Sequence, residues 1–119
     1  MKYDLKDCLE KRILVLDGGM GTMIQRYKLK EEDYRGEFAK DSKILQKGNN
    51  DLLCITQPEI IKEIHREYLK AGADIIETCS FNSQRISMSD YEMEDHIALF
   101  NKTAAQLART VAEDRKSVV

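Results

Sequence analysis

The sequence predicts an α/β fold built on parallel strands, and three observations carry that prediction. Two short apolar runs, ILVLD (13–17) and ADIIET (73–78), read as strands buried on both faces. A helical stretch with start and stop signals, TQPEIIKEIHREYLKAG, lies between them. A second helical stretch follows, and the chain then turns apolar again at RKSVV. Strand, helix, strand, helix and strand start is the order of parallel strands joined by right-handed crossovers. Two strands and a stub leave their edges unpaired, so the chain is expected to be a piece of a larger barrel or sheet whose missing strands lie C-terminal.

Each element has its own signal. KYDLKDCLEKR reads as a short amphipathic helix with Leu5, Cys8 and Leu9 on one face. After the first strand, GTMIQRYKL (21–29) reads as a helix, with Met23, Ile24 and Tyr27 at helical spacing. From KEEDYRGEF to KGNNDLLC the chain is polar and turn-rich without a defensible period, and ordered segments of that kind often carry function. Thr56, three residues before Glu59, reads as a capping box, with Pro58 in the first turn. Ile60, Ile61, Ile64, Tyr68 and Leu69 form the apolar stripe, and Gly72 supplies the left-handed stop. The last helix is expected from about Met88 to Asp114, with Ile97, Phe100, Ala104, Leu107, Ala108 and Val111 recurring at three- and four-residue steps.

Composition bounds the function. The chain has 119 residues, 42% hydrophobic and 34% charged, enough apolar content for a packed core. A net charge of -2 with interspersed signs gives no basic footprint for nucleic acid. No apolar run approaches membrane-spanning length, and MKYDLKDCLEKR lacks the apolar centre of a signal peptide. The expected compartment is the cytoplasm. Cys8, Cys54 and Cys79 form neither a CxxC pair nor a disulfide framework.

In parallel α/β folds the site lies beyond the carboxyl ends of the strands. DGGMGT follows the first run and TCSFNSQ the second. Asp17 either caps the helix starting near Gly21 or presents a fixed carboxylate to a cationic group, with glycines that admit a ligand to bare backbone. The glycine spacing is not GxGxxG, no Walker-type Lys follows, and an acid at the mouth repels phosphate. Cys79 could offer a thiolate, but His65 falls mid-helix, far from the strand end, and one Cys makes no zinc site. Cys79 is therefore read as a small, partly buried thiol, and His96 as a surface or capping residue. Glu77, inside the second strand end, needs a partner if it is buried. The KEED and EDRK runs read as solvated faces.

ILVLDGGMGTMIQ, YRGE, KGNNDLL, the run PEIIKEIHREYLKAGADIIET and FNS together resemble the N-terminal homocysteine-binding domain of cobalamin-dependent methionine synthases, in the homocysteine S-methyltransferase family, from about Leu9 to Ala112. The resemblance implies a (β/α)8 TIM-type barrel. Residues 1–119 would be its N-terminal portion, with two strands, their helices and the start of a third, and inactive alone. It implies methyl transfer from methylcobalamin to the zinc-activated thiolate of homocysteine, giving methionine. Asp17 would hold the substrate ammonium. Phe81, Asn82 and Ser83 would seat its carboxylate, with Thr78 and Ser80 as further candidates, and Gly18, Gly19 and Gly21 would shape the loop. The family's zinc cysteines come from later strands, including a Gly-Gly-Cys-Cys-Gly stretch absent here, so neither a zinc ligand nor a catalytic residue is expected in this chain. The implied partners are homocysteine and separate cobalamin- and folate-binding domains. Two alternatives stay open: a cobalamin-independent homocysteine S-methyltransferase, and a non-catalytic binding or assembly module completed by another chain.

Overall fold

The computed structural model describes residues 4–114, and over them the molecule is helical. Seven α-helices are described: α1 (Leu5–Lys11), α2 (Gly21–Gln25), α3 (Glu31–Arg35), α4 (Leu53–Thr56), α5 (Pro58–Lys70), α6 (Arg85–Ser89) and α7 (Ile97–Asp114). Single 3-10 turns precede α4 (Asn50–Leu52) and α7 (Glu94–His96).

The expected α/β class, the opening of a (β/α)8 barrel, is overturned. The described residues contain no sheet; the two strand candidates meet in one isolated parallel bridge, Leu16 with Ile75. Three backbone hydrogen bonds surround it, from Asp17 N–H to the Ile75 carbonyl (2.9 Å) and from the Asp74 and Ile75 N–H groups to the Val15 carbonyl (2.8 and 3.2 Å). The Val15 N–H goes to the Asp74 side chain instead (2.9 Å), so the ladder stops. A parallel strand needs cover on both faces, whereas Ile13, Val15 and Leu16 are 86%, 54% and 56% exposed. The expected third strand, RKSVV, lies outside the described residues.

The helices hold together through α5 and α7. Ile61, Ile64, His65 and Leu69 are the buried residues of α5, and Phe100, Ala104, Ala108 and Val111 those of α7. Steps of three and four residues put each set on one stripe. One cluster joins Ile24, Tyr34, Leu53, Cys54, Ile61, Ile64, Cys79 and Ala104. A second packs Ala39, Leu52, Met88 and Met93 around Phe100. Leu52 and Leu53, both fully buried, belong to different clusters, so the 3-10 turn and α4 form the seam between them.

Helix α5 starts at Pro58 with Gln57 as its N-cap, and no side chain caps it. The expected capping box is absent, because Thr56 closes α4 and donates back to the Leu52 carbonyl (3.4 Å). Its C-terminus ends as the sequence predicts. Gly72 has φ +111, and the N–H groups of Gly72 and Ala73 reach the Leu69 and Tyr68 carbonyls (3.1 and 3.0 Å), a Schellman closure. The helix expected from Met88 begins only at Ile97. A similar closure at Glu92 (φ +55) ends α6, with the Met93 N–H on the Met88 carbonyl (3.0 Å). Helix α2 ends at Gln25, short of the expected Leu29, and Lys28 takes φ +51 just beyond it.

The polar segment between α2 and α4 is ordered by one half-buried ion pair. Glu31 takes the Arg35 guanidinium (2.6 Å) and the N–H groups of Gln46 (2.6 Å) and Lys47 (2.8 Å). Arg35 in turn donates to the Ser42 and Ile44 carbonyls (2.6 and 3.2 Å). Burial pushes the Glu31 carboxyl up, but these donors outweigh it and the net shift is downward. Glu31 within KEED is thus an anchor rather than part of a solvated face.

Candidate functional site

A cleft of about 450 Å³ opens where the two glycine- and serine-rich loops meet the 3-10 turn. Asp17, Gly18, Met20 and Gly21 line one wall, Asn50 and Asp51 the floor, and residues 77–82 the other wall. Of the residues expected to act together, Asp17, Gly18, Gly21, Thr78, Ser80, Phe81 and Asn82 share this cleft, and Gly19 and Ser83 do not line it. The lining holds three carboxylates (Asp17, Asp51 and Glu77) and no Lys or Arg. Such a mouth attracts a cation and disfavours phosphate.

The parallel bridge aims Asp17. Its Oδ2 accepts the Glu77 N–H (3.0 Å), while its Oδ1 is buried with no partner among the described residues. Helix α2 has Met20 as N-cap and no side-chain cap bond, so the capping role open to Asp17 is not the one it takes. A buried carboxylate oxygen left without a donor carries a desolvation cost.

The glycines serve packing as much as access. A Cβ on Gly18 would lie 3.0 Å from the Tyr68 hydroxyl, and that hydroxyl donates to the Gly19 carbonyl (2.7 Å). Tyr68 on α5 thus pins the loop from behind, and bare backbone at Gly18 lets the ring in.

Asp51 was not singled out from sequence, although it sits inside KGNNDLL. It is 4% exposed. Its Oδ2 accepts the Asn82 N–H and the Ser83 hydroxyl (both 2.8 Å), and its Oδ1 lies 3.9 Å from the Cys79 thiol. Burial pushes its carboxyl up, opposed by these hydrogen bonds. Ser83 therefore points into the protein, and the Asn82 N–H is engaged. Thr78 and Ser80 share a hydroxyl–hydroxyl bond (2.6 Å), and Phe81 is 93% exposed at the rim.

Cys79 is buried and uncharged. Its thiol faces the Asn50 carbonyl (3.8 Å), and Cys54 donates to the Cys79 carbonyl (3.5 Å). Hydrogen bonding with Cys54, then burial, push its pKa up. No three His, Cys, Asp or Glu side chains converge as metal ligands among the described residues. These residues therefore do not fit the zinc that the resemblance implies, and none is assigned to it.

His65 lies mid-helix, as expected, on the buried stripe of α5. It is fully buried, both ring nitrogens lack partners among the described residues, and the Asp17 charge reaches it. Burial lowers its pKa from 6.5, with Asp17 pulling upward. The unfolded ring therefore protonates at higher pH than the folded one. Its stabilising contribution is complete above about pH 6.5 and is lost as pH falls through the folded value; Asp51, shifted upward, works in the opposite sense. Unfolding free energy is expected to drop between pH 7 and 5 by denaturant titration, and His65→Gln to flatten that drop. An identical drop in the variant would reject the assignment. His96 is exposed and stacks edge-on against Phe38, centroids 5.1 Å apart.

Compared with known families, residues 14–119 match the family model described as homocysteine S-methyltransferase.

Proposed function

Because the chain belongs to the homocysteine S-methyltransferase family, we propose that its cleft grips the amino-acid end of homocysteine during methyl transfer to the substrate sulfur. The half-satisfied Asp17 carboxylate carries this reading: one oxygen is held by the Glu77 N–H and the other has no partner among the described residues. An α-ammonium supplies N–H donors and a compensating charge in one group. Its carboxylate would then face the 78–82 turn on the opposite wall, where backbone N–H groups and the Thr78 and Ser80 hydroxyls can receive an anion.

Within the family we favour the methionine synthase type, in which methylcobalamin on a separate domain donates the methyl group. The continuation MGT after Asp-Gly-Gly and the stretch KGNNDLL support it. No residue of this chain is assigned to the corrin, and no step is derived through zinc.

Calorimetric titration tests the grip. Homocysteine is expected to bind at least about tenfold more tightly than 4-mercaptobutanoate, which keeps the thiol and carboxylate but lacks the amine. Equal affinities, or no homocysteine binding, would overturn the reading.

A further inference from the structure

The turn opposite Asp17 is held by a residue that the ligand need not touch. The N–H groups of Ser80, Ser83 and Gln84 bond within the turn, to the carbonyls of Thr78, Ser80 and Asn82 (2.9, 3.1 and 2.8 Å). The Asn82 N–H goes to Asp51. The Phe81 N–H, between them, has no acceptor among the described residues. From the other side Asn101 of α7 donates to the Ser83 carbonyl (3.0 Å). Asp51 is itself fixed, because its neighbour Leu52 is fully buried in the second cluster. The turn is thus clamped at 82 and 83 and left with a donor at 81.

We propose that Asp51 is a positioning residue that sets the carboxylate seat: by taking the Asn82 N–H and the Ser83 hydroxyl it fixes the turn so that the Phe81 N–H stays available to an amino-acid carboxylate. This rests on the amino-acid reading above and deepens it, dividing substrate recognition between two acids. Asp17 selects for the amine directly. Asp51 selects for the carboxylate indirectly, through backbone. A carboxylate can do this because it accepts two hydrogen bonds at one oxygen and offers no donor to compete with the Phe81 N–H. Two short bonds occupy its Oδ2.

The test compares three thiols on the wild-type chain and on Asp51→Ala, which removes both bonds: homocysteine, 3-aminopropane-1-thiol (no carboxylate) and 4-mercaptobutanoate (no amine). The wild type is expected to prefer homocysteine over 3-aminopropane-1-thiol by about tenfold. In Asp51→Ala that preference should shrink to about threefold or less, through weaker homocysteine binding alone, while the preference over 4-mercaptobutanoate persists. An unchanged carboxylate preference overturns the proposal, and so does parallel weakening of homocysteine and 3-aminopropane-1-thiol, the mark of a general structural loss. If the wild type itself ignores the amine, the Asp17 reading fails instead, so the two failures are distinct. Should Asp51→Ala not fold, as judged by circular dichroism, Ser83→Ala removes one of the two bonds and is read by the same criteria.

Discussion

Asp17→Asn is expected to weaken homocysteine binding by about ten- to 150-fold, the range that follows from a charged hydrogen bond of about 1.5–3 kcal/mol. The substitution keeps size and shape. Its carbonyl oxygen can still accept the Glu77 N–H now held by Asp17 Oδ2. The amide NH2 then takes the place of the unpartnered Oδ1 and meets the substrate ammonium with like polarity, which favours the upper part of the range. If the ammonium is gripped alike in ground and transition states, the loss falls on KM and leaves kcat nearly unchanged in the active enzyme. Folding should be little affected, since Asp17 caps no helix. Wild-type homocysteine affinity in a folded Asp17→Asn would reject the role assigned to this carboxylate.

The second large effect is structural. Phe100→Ala is expected to destabilise the molecule by about 3–5 kcal/mol, a large share of the roughly 5–15 kcal/mol typical of a domain. Phe100 is fully buried and fills the centre of the cluster formed by Ala39, Leu52, Met88 and Met93, with the Phe38 ring 6.4 Å away. Ala39 is too small and Leu52 too firmly placed to close the cavity. Because Leu52 adjoins Asp51, the loss also loosens the floor of the cleft. Urea unfolding followed by circular dichroism measures it; a shift worth under about 1 kcal/mol would mean that the second cluster is not a core.

What could be read from sequence follows from how local each signal is. Helix α5 was legible because Pro58, an apolar stripe and Gly72 lie in one continuous stretch. The α7 stripe was legible for the same reason, but its start was not. The break at Glu92 is a left-handed residue that is not glycine, so composition gives no warning. The strands failed because an apolar run states only that a segment can be buried. Whether it becomes a strand depends on neighbours, and Asp74 takes the N–H that a longer ladder would have used. In the cleft, Asp17 announced itself by standing at the end of an apolar run beside glycines. Asp51 did not, because its partners lie 31 and 32 residues away.

The bridge that aims Asp17 has a further consequence, for the energetics of local opening. The contacts fixing residues 12–17 are with residues 59 to 62 positions downstream: Arg12 and Val15 on Asp74, and Asp17 on the Glu77 N–H. They lie at an exposed edge, whereas α5 and α7 bury theirs in continuous stripes. Segments of that kind detach at a fraction of the global unfolding free energy. Ligand binding and the closing of this edge then become one equilibrium, so the affinity observed is the intrinsic affinity multiplied by the fraction of molecules in which the bridge is formed. Substitutions at Arg12 or Asp74, which touch no ligand, act on that fraction.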